Sequence, residues 1–159
     1  MLYLSRILVL PSYPTEGASI MANLTPQEID AFLSQPRTAQ LVTLRASGTP
    51  HVAPVWFLWD NGRALVMADA GAIKVRNIRR NPAVALCVCT PDHPYEFVTI
   101  EGRADITSDG LEDMVRRTCI LYEAPERGAE FAAELLADER LTLITISVDR
   151  FMSWKEDEG

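Results

Sequence analysis

The sequence is poor in the residues that usually announce chemistry. Three cysteines (Cys87, Cys89, Cys119) and two histidines (His51, His93) are its whole stock of soft metal ligands. None stands in a CxxC or HxxxH spacing, so no metal site is expected. Cys87 and Cys89 lie two apart in a strand-like run, where side chains project to one face and cannot easily bridge. All three cysteines read as small buried thiols, which suits a reducing, cytoplasmic setting. There is no glycine-rich phosphate loop, no Ser-His-Asp order and no glycosidase-like carboxylate pair. No stretch reaches the roughly 18 apolar residues that a membrane span needs. The N-terminal apolar run is interrupted by Arg6 and stopped by Pro11, which does not make a secretory signal. Positive charge is scarce as well: the formal net charge is −7. That balance argues against the broad basic face of a nucleic-acid binder.

With 48% hydrophobic residues in a chain of 159, there is material for one domain with a real core. Pro11, Pro14 and Gly17 break the pattern before Met21, itself a candidate alternative start. Residues 1–22 are therefore expected to be an extension and 23–159 the domain. Thr25-Pro26-Gln27-Glu28 has a capping hydroxyl, proline at the first helical position and glutamate three residues after the cap, so a helix begins there. Ala39–Arg45, Pro50–Trp59 and Ala64–Ala68 read as three strands of a meander, with Asn61-Gly62 supplying the tight reversal between the last two. Val84–Thr90 and Tyr95–Ile106 are two further strands, and Gly102 marks a bulge or bend inside the second. Leu111 to Tyr122 has helical spacing, a helix is expected over Phe131–Leu136 after Pro125 and Gly128, and Leu141–Val148 alternates as a last strand. Six strands, with helices between the third and fourth and before the sixth, predict a mainly β fold: a six-stranded antiparallel barrel with helices outside it. Pro54 cannot donate to a ladder, so one side of its strand is expected to be open to a ligand or a second chain.

The charge that is present is concentrated. GAIKVRNIRRNP, residues 71–82, holds Lys74, Arg76, Arg79 and Arg80 with no acid among them. If Ile73–Arg80 is a helix, Val75, Ile78 and Arg79 share one side and Lys74 and Asn77 flank it. Its first turn would offer free N–H groups and a positive dipole end beside Lys74, a natural seat for a phosphate. A solvated charged helix is the alternative reading. The acids, by contrast, are scattered; Glu112, Asp113, Glu130, Glu134, Asp138 and Glu139 are expected on wet helix faces. His51, a single histidine at the start of a strand, reads as a hydrogen-bonding residue, and no dedicated catalytic side chain is expected.

TPHVAPVWF, ALVMAD, KVRNIRRNPAVALCV and YEFVTIEGRADI occur in this order and spacing, and over residues 25–154 the chain resembles the split-barrel family of pyridoxamine 5'-phosphate oxidases and their coenzyme F420-dependent relatives. The resemblance implies a split barrel that acts as a homodimer, with a flavin or deazaflavin in clefts between the subunits. It matches Lys74 and Asn77 to phosphate-binding positions, with Arg76 and Arg79 or Arg80 as further contacts. It sets His51, Ala53, Pro54, Val55, Met67 and Ala68 along the cofactor ring. Trp56 becomes a wall of the substrate pocket or plain core, and Trp154, beyond the last strand, a residue that reaches the partner's cleft. The C-terminal R-L-x-P motif of authentic pyridoxamine phosphate oxidases is missing, and the chain looks closer to the F420-dependent branch. The expectation is an F420-dependent oxidoreductase acting on a small conjugated substrate. FMN is the alternative cofactor, and a non-catalytic flavin- or haem-binding barrel the alternative role.

Overall fold

The computed structural model describes residues 24–156; the expected extension, residues 1–22, lies outside them. Four helices and seven strands follow in the order α1 (Pro26–Leu33), β1 (Ala39–Leu44), β2 (Pro50–Val55), β3 (Leu58–Asp60), β4 (Arg63–Asp69), α2 (Ile73–Arg80), β5 (Ala83–Cys89), β6 (Glu96–Thr107), α3 (Leu111–Tyr122), α4 (Pro125–Leu136) and β7 (Leu141–Lys155). The strands form one antiparallel sheet in the order β2-β1-β5-β6-β7-β4-β3. It curls around its own core as a split barrel, so the mainly β class stands while the strand count rises from six to seven.

The extra strand comes from a break in the expected run Pro50–Trp59. The hydroxyl of Tyr122, from α3, accepts from the Phe57 N–H at 3.2 Å and lies 3.0 Å from the Phe57 carbonyl, to which it can donate. Both backbone groups of Phe57 are thereby taken out of any ladder, and its ring is buried in the core. The chain thus leaves β2, at one end of the sheet, and restarts as β3 at the other. The reversal into β4 uses positive φ at Asn61 and Gly62, as expected.

Two further boundaries differ from expectation. The last strand runs to Lys155, because the long β6 pairs with it along its whole length, from Thr107↔Leu143 to Glu96↔Lys155. Trp154 therefore lies within the sheet. The register shifts between Glu101 and Gly102, where a Cβ on Gly102 would collide with the Ser147 carbonyl oxygen. This is the bulge that lets one pair of strands serve both halves of the barrel. The helix expected from Phe131 starts at Pro125, a residue suited to a first turn, and Gly128 lies inside it.

Two apolar clusters hold the fold together. The barrel interior contains Leu41, Phe57, Val66, Leu86, Val98, Ile100 and Ile146, closed at its ends by Ile29, Phe32 and Leu33 of α1 and by Val75 and Ile78 of α2. A second cluster, with Met114, Val115, Cys119, Ala132 and Leu143, packs α3 and α4 on the outside of the sheet. Thr25 and Glu28 form the expected capping box, and Lys155 Nζ donates to Glu28 at 2.7 Å, tying α1 to the end of β7. All three cysteines are free; Cys119 is buried and Cys87 half-buried, but Cys89 is exposed, because the face of β5 that carries it has no helix over it.

Candidate functional site

The basic segment is an α-helix over Ile73–Arg80, and among the described residues no side chain caps its first N–H groups. Val75 and Ile78 point into the barrel. Asn77 joins them in the interior while Arg79 is exposed, the reverse of the expected grouping. The Asn77 amide is engaged at both its nitrogen and its oxygen inside the protein. Its nitrogen donates to Thr43 Oγ1 of β1 at 2.9 Å, and its oxygen accepts from Arg80 at 3.1 Å. Arg80 also donates to the Leu44 carbonyl at 2.7 Å, and Arg79 to that of Ala70. Lys74 and Arg76 make no side-chain hydrogen bond or ion pair among the described residues, and none of the cations on α2 has a carboxylate partner.

Among the described residues β2 is a terminal strand of the sheet, paired with β1 alone, so the side of it that Pro54 leaves open has no partner strand there. Its residues alternate: Val55, with Ala53 and His51, follows the core-facing positions of β1, whereas Val52 and Pro54 are exposed on the outer face. His51 is the register partner of Thr43. The Nδ1 of His51 is buried and has no hydrogen-bond partner among the described residues. Met67 and Ala68 are split between the faces of β4, Ala68 in the barrel interior and Met67 under the α3–α4 layer. The structure thus brings His51, Asn77 and Arg80 to one end of the barrel, with Thr43 linking them. It separates Met67 from that group.

Trp56 stands at the other end of β2. It stacks on Tyr122 (centroids 4.7 Å apart, 21° between planes) and meets Phe131 edge-on at 6.1 Å. Burial pushes the Tyr122 phenol above its usual range. Trp154 is 39% exposed and stacks on Phe97 at 6.3 Å. With Val52, Pro54 and Cys87 it belongs to an outer sheet face that takes part in neither core cluster. The sequence marks Phe131 only as a helix start and does not mark Thr43, and it gives Tyr122 only as the end of a helical run and the beginning of a loop, Tyr122 to Arg127, expected to shape the pocket. Only their distant partners give them a place at the site. An apolar cavity of about 260 Å³ lies elsewhere, between α1 and β7, with Ile29, Trp59 and Phe151 in its wall. No residue expected at the site lines it, and no group of His, Cys, Asp and Glu among the described residues could hold a metal.

A split antiparallel barrel with an open edge strand and an unpaired basic helix at one end defines a class of small ligand-binding barrels, catalytic and otherwise. The comparisons narrow it. The family model described as pyridoxamine 5'-phosphate oxidase matches residues 25–155, and the chain belongs to that family. It is 34% identical over 112 residues to an F420H(2)-dependent biliverdin reductase of Mycobacterium tuberculosis, covering 66% of this chain and 80% of that one. Among solved structures, a protein titled F420 reductase has 29% identity and a TM-score of 0.61, covering 77% of this chain and 94% of its own. A conserved hypothetical protein of Mycobacterium tuberculosis superimposes with a TM-score of 0.74 over 83% of this chain and 85% of its own, at 23% identity. The first two relatives place the chain among oxidoreductases.

Proposed function

We propose that the protein is an F420-dependent oxidoreductase that passes a hydride between the deazaflavin and a small conjugated organic acceptor. The observation that carries this reading is the contrast among its cations. Arg116, Arg117, Arg140, Arg150 and Lys155 are hydrogen-bonded to carboxylates, whereas Lys74 and Arg76 make no side-chain hydrogen bond or ion pair among the described residues. Arg63 and Arg103 share that condition on separate strands, but among the described residues only α2 sets two such cations together on one short helix. In a chain of net charge −7, unpaired cations beside uncapped helix N–H groups suit an anion supplied from outside. A ribityl phosphate would be held by Lys74 and Arg76. Asn77 would act through Arg80 and Thr43, keeping the helix seated on β1. His51, Ala53 and Val55 would orient the ring along β2 and keep water from it. When bound, a reduced deazaflavin supplies the hydride. The reductases among the relatives support this choice.

FMN is the second reading, since its flavin portion carries the same ribityl phosphate and the family is described as pyridoxamine 5'-phosphate oxidase. Fluorescence titration of the purified protein with F420 and with FMN decides between them. Tighter binding of F420 is expected, followed by turnover of F420H2 with an acceptor such as biliverdin; tighter binding of FMN would reverse the choice.

The proposal includes a cytoplasmic homodimer. Val52, Pro54, Phe97 and Trp154 give the uncovered sheet face its apolar character, and a second copy laid on that face would set Trp154 toward its partner. Sedimentation velocity at micromolar concentration should return a dimer; a monomer would rule out a cleft shared between subunits.

A further inference from the structure

We infer that Trp56, Tyr122, Phe131 and Arg127 form the acceptor's docking surface: an aromatic shelf with a cation at its rim, suited to a planar conjugated molecule that carries a carboxylate. This rests on the oxidoreductase reading above and assigns its substrate side, for which the basic helix has no role.

The shelf is rigid and incomplete. Tyr122 is clamped through its hydroxyl to the backbone of Arg37 and Phe57, at 2.7 and 3.0 Å from their carbonyls. Trp56 lies flat on Tyr122 with Phe131 against its edge. Little conformational freedom remains to be lost when a flat ligand settles there. Yet Trp56 is only half-buried, and its indole N–H has no acceptor among the described residues. Trp59 shows the ordinary arrangement, donating to Asp30 at 2.7 Å. An acceptor with a carbonyl or carboxylate in the plane of its ring system would use the idle donor.

Arg127 completes the pattern. Its guanidinium stands 5.7 Å from the Phe131 ring centroid, and the carboxylates of Glu130 and Glu134 lie at 3.7 Å, beyond hydrogen-bond distance. Arg117, by comparison, is hydrogen-bonded to both Asp60 and Asp113. Two glutamates hold Arg127 near the ring without saturating its N–H groups, which leaves a planar fork able to take a carboxylate.

Position supports the assignment. The Asn77–Thr43 bond seats α2 at the His51 end of β2, and Trp56 follows the opposite end. At ~3.4 Å per residue, the five steps from His51 to Trp56 span about 17 Å. A cofactor anchored by its phosphate at α2 and lying along β2 directs its ring toward the shelf, where an acceptor would meet it.

The test uses the cofactor-free full chain, with biliverdin as a conjugated dicarboxylate and its dimethyl ester as the neutral twin, followed by visible absorbance and tryptophan quenching. The wild type should bind the acid about tenfold or more tightly than the ester. Arg127→Met should erase that preference, and Trp56→Leu should weaken both ligands. Trp56→Phe keeps an aromatic face but removes the indole N–H together with the five-membered ring, so it serves if the leucine variant misfolds; weaker binding of the acid is expected from it too. F420 titration of Arg127→Met should match the wild type. Equal binding of acid and ester by the wild type, or a preference that survives Arg127→Met, would overturn the assignment. Failure of the wild type to bind F420 would instead strike at the cofactor reading, while the comparison of acid and ester still decides the shelf.

Discussion

Lys74 and Asn77 lie three residues apart on one short helix, and the structure gives them different work. Lys74 has no partner among the described residues, so Lys74→Ala should leave the fold intact and weaken cofactor binding by about 1–3 kcal/mol, measured by titration. Asn77 is 4% exposed and bonded at both ends. Asn77→Ala would strand the Thr43 hydroxyl in the core, and should cost about 1–3 kcal/mol of stability in denaturant melts. The role proposed for Lys74 is legible from its charge in an acid-free segment. That of Asn77 is not, because Thr43 is 34 residues away. Glu28 offers a test of another kind. A hydrogen bond from Lys155, followed by those from Thr25, lowers its carboxyl from 4.5 to about 2. The folded state thus favours the charged carboxylate, so the anchorage of α1 is fully present above the ordinary value and fades as pH falls from about 4.5 toward 2. NMR titration of Glu28 should show this depression, and Lys155→Ala should remove part of it, leaving the share held by Thr25.

Helices were the most readable elements, since their signals are local. The capping box of α1 and the apolar spacing of α3 are written within a few residues. The break between β2 and β3 could not be read, for its cause is a phenol 65 residues downstream. The early start of α4 was obscured by Gly128, which resembles a helix breaker but serves contact. A Cβ there would come within 2.6 Å of the Cys119 carbonyl oxygen and 2.8 Å of the Ile120 Cα. Gly128→Ala would improve helix propensity yet force α3 and α4 apart. Net destabilisation of about 1–3 kcal/mol is expected, seen as a lower melting temperature with helical signal retained below it. A stabilised protein would show that the two helices shift apart at no cost.

At the scale of the whole molecule, the order of strands and helices identified the barrel, and the motif spacing pointed to its family, because both depend on what recurs along the chain. The two-sided character of the sheet was harder to see. One outer face is covered by α3 and α4 and the other by nothing described, although the strands on both alternate in much the same way. The sheet also ends in an unusual place: its terminal strands, β2 and β3, are separated in the chain only by Trp56 and Phe57. Each is laddered to a single neighbour, and the Tyr122 hydroxyl bonds the step between them. Letting go of that hydroxyl would allow either margin to swing outward without disturbing a rung in the middle of the sheet. Any opening of the barrel at that seam would carry with it the aromatic stack that guards it.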